Sequence, residues 1–306
     1  MTGYLPEGKL IDTAENTKAL SSFSNMIQAK ETVQILQAKA VMCDAQHNLI
    51  VDLGDIKGVI PRLEGAVGIK EGTVRDIAVI SRVNRVVSFV ITDFKKNEKG
   101  DTVAVLSRAK AQRMCLDNYI NTLSVGDIID ARITHLETFG AFADIGCGVV
   151  ALMPIDAISI SRIEHPKERF VVGMDIKAVI KSIENGRISL SHKELLGTWQ
   201  QNADNFSQGE TVSGVIRSVE NYGAFVELTP NLAGLAELKD GLKTGDRASV
   251  YIKSIIPSKM KIKLIIIDTF DSDTVLQPPR YYYQKEHIDE FVYSPVECEK
   301  YIATHF

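Results

Sequence analysis

Two stretches of the sequence repeat each other at a spacing of 83 residues. Residues 126–145 are GDIIDARITHLETFGAFADI, and residues 209–228 are GETVSGVIRSVENYGAFVEL. The similarity resumes downstream, where IKSI at 180–183 returns as IKSI at 252–255, now 72 residues later. The segment between the two matches is therefore eleven residues shorter in the later copy. A repeat that keeps both ends and changes length between them predicts one folding unit, present twice, with a variable loop.

Alternation of apolar and polar residues predicts where the first strand of this unit points its side chains. Three apolar residues alternate with three polar ones, the period-two pattern of a half-buried strand: Ile129, Ala131 and Ile133 against Asp130, Arg132 and Thr134. The next apolar residue is Leu136, so the alternation shifts by one, as a β-bulge would make it. Counting on from Leu136 places Phe139 on the outer face.

The following strand is predicted to turn a second aromatic ring outward in each copy. Phe142 faces out beside Asp144 in the earlier copy, and Phe225 faces out beside Glu227 in the later one. The residues expected to face the core are small or aliphatic, namely Ala143, Ile145, Val226 and Leu228. Two rings per unit therefore lie on a polar face. The alternative is that these rings belong to the core. It would require the inward and outward positions to be assigned wrongly in both copies.

The whole constellation resembles the RNA-binding domain named after ribosomal protein S-one. The resemblance rests on the glycine-led first strand, the FGAF or YGAF turn, a helical excursion, a second strand ending in V-K-x-I and a closing GRISLS at 186–191. It covers residues 125–193 strongly, 209–268 well and 31–108 weakly. That family folds as a five-stranded OB-fold barrel that binds single-stranded RNA. The resemblance thus implies a mainly β protein with connecting helices and three tandem barrels, the first degenerate.

The resemblance also implies an RNA-binding site on each of the two later barrels. The paired aromatic residues of the family correspond to Phe139 and Phe142, and to Tyr222 and Phe225. Basic residues are expected close to the rings: Arg132, His135, Lys181 and Arg187 in the second barrel, and Arg217, Lys253 and Lys261 in the third.

Not all of these basic residues match between the two copies. Arg132 and Arg217 do not match each other in register, and His135 is either an RNA contact or an ordinary exposed strand histidine. The histidine that usually follows the third strand in the family is replaced by Pro154 and Glu237. Each barrel is therefore expected to bind RNA more weakly than a member with the full motif.

Residues 31–108 contain the degenerate copy. The segment NLIVDLGDIKGVIP at 48–61 parallels the second and third strands of the unit, but the aromatic positions fall on His47 and Ile50. Apolar runs flank a basic turn, SRVNR at 81–85, which is either an RNA contact or a solvated hairpin loop. A barrel without stacking rings suits a structural role or a protein partner.

The remaining segments connect or flank the barrels. Thr13 precedes a pattern typical of an N-capped helix. Trp199 shares one helix face with Leu195 and Leu196, so we expect it to pack against a barrel rather than stack a base. The expected order is an N-terminal helical segment 1–30, the degenerate barrel 31–108, a connecting helix 109–124, an RNA-binding barrel 125–193, a connecting helix 194–208, an RNA-binding barrel 209–268 and an acidic, aromatic-rich tail 269–306.

Charge is distributed unevenly along the chain. The net charge is −4, and residues 269–306 account for all of it with seven acidic and three basic side chains. The other 268 residues are neutral overall. RNA binding would then depend on stacking and on local basic residues rather than on a global field. The aromatic content of the tail predicts that it folds back onto the third repeat with its carboxylates outward. Mimicry of nucleic acid and direct stacking of bases by its tyrosines are the alternatives.

Composition also bears on location and chemistry. The N-terminus does not resemble a signal peptide, and no apolar run approaches the ~20 residues of a membrane span. The four cysteines are scattered, which suits a reducing cytosol and gives no metal spacing. Gly146-Cys147-Gly148 is not a phosphate loop, because no helix follows it. We therefore expect neither a metal nor a small-molecule cofactor, and no enzymatic activity.

The sequence leaves two functions open. The resemblance implies a short bacterial protein of the ribosomal protein S-one family in the cytoplasm, where it binds single-stranded messenger RNA and brings it to the small ribosomal subunit. The alternative is a protein–protein adaptor, or a cofactor of transcription or RNA decay, that uses its barrels as docking surfaces. Fold alone does not separate these functions.

Overall fold

The computed structural model describes residues 3–270, 276 and 278–306. It contains three closed five-stranded barrels, which confirms the predicted fold class. The chain divides into two compact units. The first holds the residues up to Leu123 together with Asp130–Arg132 and Asp144–Val150, and the second holds the remainder. Within the described ranges, no helix combines the length and the apolar character that crossing a membrane requires.

The first barrel is built from short strands that bury aliphatic side chains. Its strands are β1 Leu36–Cys43, β2 Leu49–Asp52, β3 Lys57–Ile60, β4 Val86–Lys96 and β5 Thr102–Ser107, in the closed order β1-β2-β3-β5-β4. Helices α1 Ala14–Leu20 and α2 Phe23–Glu31 precede it, α3 Ile77–Ile80 interrupts it and α4 Arg108–Asn118 follows it. Thr13 caps α1 as predicted, accepting a hydrogen bond from the Asn16 amide.

The second barrel contains the first of the two long repeats. Its strands are β6 Ile128–Glu137, β7 Gly140–Gly146, β8 Val149–Pro154, β9 Asp175–Glu184 and β10 Arg187–Ser191, in the closed order β10-β8-β7-β6-β9. The excursion predicted between β8 and β9 is present and carries two short 3-10 turns, Ile155–Ala157 and Pro166–Glu168.

The third barrel repeats this order with a shorter excursion. Its strands are β11 Thr211–Glu220, β12 Gly223–Thr229, β13 Leu232–Ala236, β14 Arg247–Ile256 and β15 Lys261–Phe270. The closed order is β11-β12-β13-β15-β14, with β13 and β15 parallel and the other four strand pairs antiparallel. Strand pairing between β11 and β12 shifts between Ile216 and Ser218, where the repeat predicts a β-bulge.

The helical predictions for the connecting segments were only partly right. The N-terminal pattern gives two helices rather than one, and residues 193–206 give only a 3-10 turn at Lys193–Leu196 and a short helix α5 at Trp199–Ala203. Gly197 separates them with φ at 89°, a left-handed conformation that stops the first turn. Thr198 then caps α5, and Trp199 packs in the core of the third barrel as predicted.

The basic turn at 81–85 is not the tip of a hairpin. The apolar run before it folds as α3, so the turn links a helix to β4. Arg82 is mostly buried, and its guanidinium lies 3.7 Å from the Glu7 carboxylate. Both interpretations offered by the sequence, a solvated hairpin loop and an RNA contact, are therefore wrong for this arginine.

The C-terminal tail packs within the second unit. It carries a two-stranded sheet, β16 Glu290–Val292 with β17 Ala303–His305. The Tyr293 hydroxyl donates to the Asn231 carbonyl at 2.6 Å, and the Trp199 amide donates to the Tyr293 carbonyl. Ile288, Phe291 and Tyr293 are buried, while the carboxylates of Asp289 and its acidic neighbours face solvent.

The docking surface of the tail is broader than the third repeat. The Ile288 amide donates to the Gly126 carbonyl at 2.9 Å, and the Ile128 amide donates to the Glu286 carbonyl at 2.8 Å. The Tyr282 amide donates to the Leu195 carbonyl on the second connector. The tail thus joins the start of β6, the connector and the third barrel.

We expect Ile288→Ala to lower the free energy of unfolding of the second unit by about 2–5 kcal/mol, because it leaves a cavity where a fully buried side chain was. Val296→Ala shortens a fully exposed side chain of the same tail. It is expected to change the free energy of unfolding by less than about 0.5 kcal/mol. Urea denaturation combined with limited proteolysis of the tail measures both. Equal effects of the two substitutions would show that the tail does not contribute to the core.

Candidate nucleic-acid interface

Three rings cluster on the outer face of the second barrel. Phe139, in the turn after β6, is 55% exposed, and Phe142 on β7 is half-buried. Their centroids are 6.0 Å apart with the ring planes nearly perpendicular. The His135 ring on β6 lies 6.2 Å from Phe142 and is inclined to it by only 29°. The alternation in the sequence predicted this outward placement, and the core-aromatic alternative is wrong.

Close backbone contact in the β6–β7 turn fixes the position of the rings. A Cβ atom on Gly140 would lie 2.4 Å from the Met153 carbonyl oxygen, closer than such atoms approach. A Cβ atom on Gly223 would likewise lie too close to the Ala236 carbonyl oxygen, at 2.6 Å. The φ of Gly223, 154°, is also disfavoured for other residues. The glycine after the first ring therefore lets the turn pack against the next strand while the ring points away.

The third barrel presents a similar pair. Tyr222 is 65% exposed and Phe225 is half-buried, with centroids 6.3 Å apart and perpendicular ring planes. Ser218 occupies the repeat position of His135, so this pair has no third ring at that side. Base stacking on paired exposed rings is the chemistry that such an arrangement offers.

Most of the predicted cations are at the surface. Arg187 begins β10 opposite Glu184, and Lys181 is half-buried on β9. Lys253 and Lys261 are exposed on β14 and β15, and the Lys253 ammonium lies 3.8 Å from the Glu237 carboxylate. The His135 ring nitrogen contacts the Glu137 carboxylate at 2.6 Å.

Arg217 has a structural role that the sequence did not reveal. Its guanidinium binds the Glu227 carboxylate at 2.7 Å and also pairs with Glu168, and Arg169 contacts the same Glu227 at 2.6 Å. Burial alone would raise the pKa of Glu227, but the hydrogen bond from Arg217 and the charges of both arginines hold it below its usual range. The placement of Glu227 on a solvated face was wrong, and this geometry argues against Arg217 as an RNA contact.

Arg132 and Asp144 also belong to internal packing, within the first unit. The Arg132 guanidinium donates to the Glu7 carbonyl at 3.2 Å. Asp144 was expected on the polar face, but it is buried and accepts hydrogen bonds from the backbone amides of Glu7, Gly146 and Gly148. Burial and the neighbouring Glu7 charge raise its pKa to about 7.

The first barrel differs at the equivalent positions. His47 has a positive φ of 63°, and its ring nitrogen lies 3.4 Å from the Asp76 carboxylate, which Arg62 also binds. Ile50 is half-buried on β2. At these two positions the first barrel therefore presents no pair of exposed aromatic rings, as the sequence predicted.

The sequence missed a row of outward residues on the third barrel. Phe225 lies opposite Leu235 on β13, and Leu235 lies opposite Lys263 on β15. Leu235 and Lys263 are exposed. The alternation in KIKLIII at 261–267 contains the signal for Lys263, but only the strand order shows that it shares a row with the ring.

Comparisons with known proteins identify the kind of domain that the second barrel forms. Residues 122–193, which include β6 to β10, match the model of the S1 RNA binding domain. The match places the second barrel among nucleic-acid-binding domains. Among solved structures, a multidomain protein with nucleic acid binding domains from Streptococcus pneumoniae shares 12% identity over 77% of this chain and 74% of its own, with a TM-score of only 0.25.

Curated relatives extend the match beyond one barrel. The chain is 30% identical to the small ribosomal subunit protein bS1 of Leuconostoc lactis over 71% of its own length, and it spans only 52% of that relative. It is 27% identical to the protein of the same name from Staphylococcus aureus strain COL, over 88% of this chain and 71% of the relative. Residues 122–193 thus match an S1 RNA binding domain, and the chain is similar at modest identity to proteins named bS1 over most of its length.

Proposed function

We propose that this chain binds single-stranded RNA on the ring pairs of its second and third barrels. The observation that carries the proposal is the repeated pair of perpendicular rings, in which an exposed ring, Phe139 or Tyr222, stands beside a half-buried one, Phe142 or Phe225. Aromatic side chains are usually stabilised by burial inside a domain. A pair of rings that stays at the surface therefore suggests a binding site for a ligand. Every base has a π-face, so the site discriminates weakly between sequences.

The cations around the rings supply local rather than global attraction. Lys181, Arg187, Lys253 and Lys261 are the sequence-predicted cations that remain at or near the surface, whereas Arg132 and Arg217 are engaged in packing. Single-strand binding by stacking tolerates a neutral domain, because a few phosphate contacts suffice to orient the strand. His135 adds a third ring to the second barrel, so we place it among the RNA contacts.

The proposed setting is translation, where the chain would bring messenger RNA to the small ribosomal subunit. Its support is the similarity to proteins named as components of that subunit. Sedimentation of the tagged chain with small ribosomal subunits, at low and at high salt, tests this setting separately from RNA binding. A chain that binds RNA but stays at the top of the gradient at both salts would refute the ribosomal setting and favour the adaptor or decay cofactor.

The stacking role predicts a defined loss of affinity. Replacing both Phe139 and Phe142 with Ala is expected to cost roughly 1–3 kcal/mol for each lost base stack. Val172→Ala serves as the control, because Val172 has the same exposure as Phe139 but lies in the excursion of the same barrel. Binding to a fluorescent single-stranded RNA measures the loss, and circular dichroism checks the fold. Folded double variants that bind like the parent would contradict the proposal; the pair Tyr222 and Phe225 is tested in the same way.

The lysines predict a change in salt dependence. Each phosphate neutralised on a single strand contributes about 0.7 to the slope of log affinity against log salt. Replacing Lys181 and Lys253 together with Gln is expected to flatten that slope by roughly 1 to 1.4. The exposed lysines Lys70 and Lys99 of the first barrel form the control pair. An unchanged slope would mean that Lys181 and Lys253 do not meet phosphates.

A further inference from the structure

The outward side chains of the third barrel form a continuous surface beyond the ring pair. Phe225, Leu235 and Lys263 stand opposite one another on β12, β13 and β15. Neighbouring strands lie about 4.8 Å apart, so this row spans roughly 10 Å of the barrel wall. The row begins at a ring of the proposed RNA site and ends at a cation.

The next row continues the surface onto β14. Ile265 follows Lys263 by two residues on β15, which places both on the same face of the strand. Ile265 is 41% exposed and stands opposite Tyr251 on β14, which is 38% exposed. We name the five residues Phe225, Leu235, Lys263, Ile265 and Tyr251 the extended face.

The second barrel does not expose the same surface. Its strand register makes Ser189 the counterpart of Lys263, because Leu152 and Ser182 flank Ser189 just as Leu235 and Ser254 flank Lys263. Two residues further along, Val179 and Ser191 stand opposite each other as Tyr251 and Ile265 do.

Both counterparts are fully buried under the second connector. Val179 packs in one cluster with Leu195 and Trp199. The Ser191 hydroxyl donates to the carboxylate of Glu194 on the connector at 2.5 Å. On the third barrel, Tyr251 and Ile265 stay partly exposed, and the described residues of the tail pack instead on β6 and the connector.

The charges on and around the extended face suit a nucleic acid strand. Lys253, Lys261 and Lys263 are exposed on β14 and β15, against the exposed carboxylates of Glu237 and Asp268. An apolar face with a lysine at its centre and a tyrosine at its far end combines a phosphate contact with a further stacking ring.

We propose that the third barrel binds a longer stretch of single-stranded RNA than the second, and that the strand continues from Tyr222 and Phe225 past Lys263 to stack a further base on Tyr251. The inference rests on the proposed function, because it extends the same site. It assigns Tyr251 as a stacking residue and Lys263 as a phosphate contact.

The test uses the full chain with one ring pair removed at a time. With Phe139 and Phe142 replaced by Ala, oligouridylates of increasing length report on the third barrel. With Tyr222 and Phe225 replaced, they report on the second. Affinity is expected to level off at a longer oligomer for the third barrel. Equal plateau lengths would overturn the inference.

Substitutions on the extended face locate the added contact. In the chain that reports on the third barrel, Tyr251→Ala is expected to weaken binding of the long oligomers by about 5- to 150-fold and to spare the shortest ones. Tyr251→Leu is expected to weaken binding equally, since it keeps apolar surface and loses the ring, and Tyr251→Phe to bind like the parent. Lys263→Ser is expected to flatten the salt slope by about 0.7, whereas Lys243→Ser, an exposed lysine of the β13–β14 loop, is not.

The outcomes separate this inference from the function on which it rests. If folded Tyr251→Leu binds every oligomer like its parent while removal of Tyr222 and Phe225 still weakens binding, the extended face is not an RNA site and the proposed function stands. If removal of both ring pairs leaves binding unchanged, the proposed function is wrong and this inference falls with it.

Discussion

Strand register is the constraint on which the surface chemistry of these barrels depends. Successive side chains of a strand point to opposite faces, so a slip of one residue would bury every outward ring and expose the core. In the third barrel the register is set by Glu220 opposite Gly223 at the turn, and by a shift between Ile216 and Ser218 further along. The glycine permits the close turn, and the bulge corrects the alternation. Together they keep Tyr222 and Phe225 outside while Ile216 and Val226 stay inside.

What covers each barrel decides what its surface is free to bind. The second barrel lies under its connector and the C-terminal tail, whose Trp199, Ile288 and Tyr293 complete one shared core with the third barrel. Buried apolar surface of this kind is what offsets the entropy of ordering a tail. The described residues of the tail pack on β6, the connector and Asn231, and Tyr251 and Ile265 on the outer face of β14 and β15 remain partly exposed. Two copies of one unit thus present different surfaces, although their strands follow the same closed order.

The local parts of this structure were predictable from the sequence, and the non-local parts were not. Alternation located strand faces, the bulge and the outward rings, because each depends on neighbours a few residues apart, whereas the barrel fold was implied by the family resemblance. Asp144, Glu227 and Arg217 were misplaced because their partners come from distant segments: Glu7, Glu168 and Arg169. A charged residue in an outward strand position looks solvated until another segment packs over it. The break at Gly197 was missed for a different reason, since an apolar helical periodicity continued across it.

Arginine and lysine have separate tasks in this chain. Arg108 holds Glu7 through two hydrogen bonds, and Arg217 holds Glu227 in the same bidentate manner, both with little exposure. The planar guanidinium suits such sites because it satisfies both carboxylate oxygens at once. The exposed cations around the ring pair of the third barrel are instead lysines, Lys253, Lys261 and Lys263, whose flexible stems suit a moving phosphate chain. Counting all cations would therefore overstate the attraction for RNA, because Arg108, Arg169 and Arg217 bind the chain's own carboxylates and are not available to the ligand.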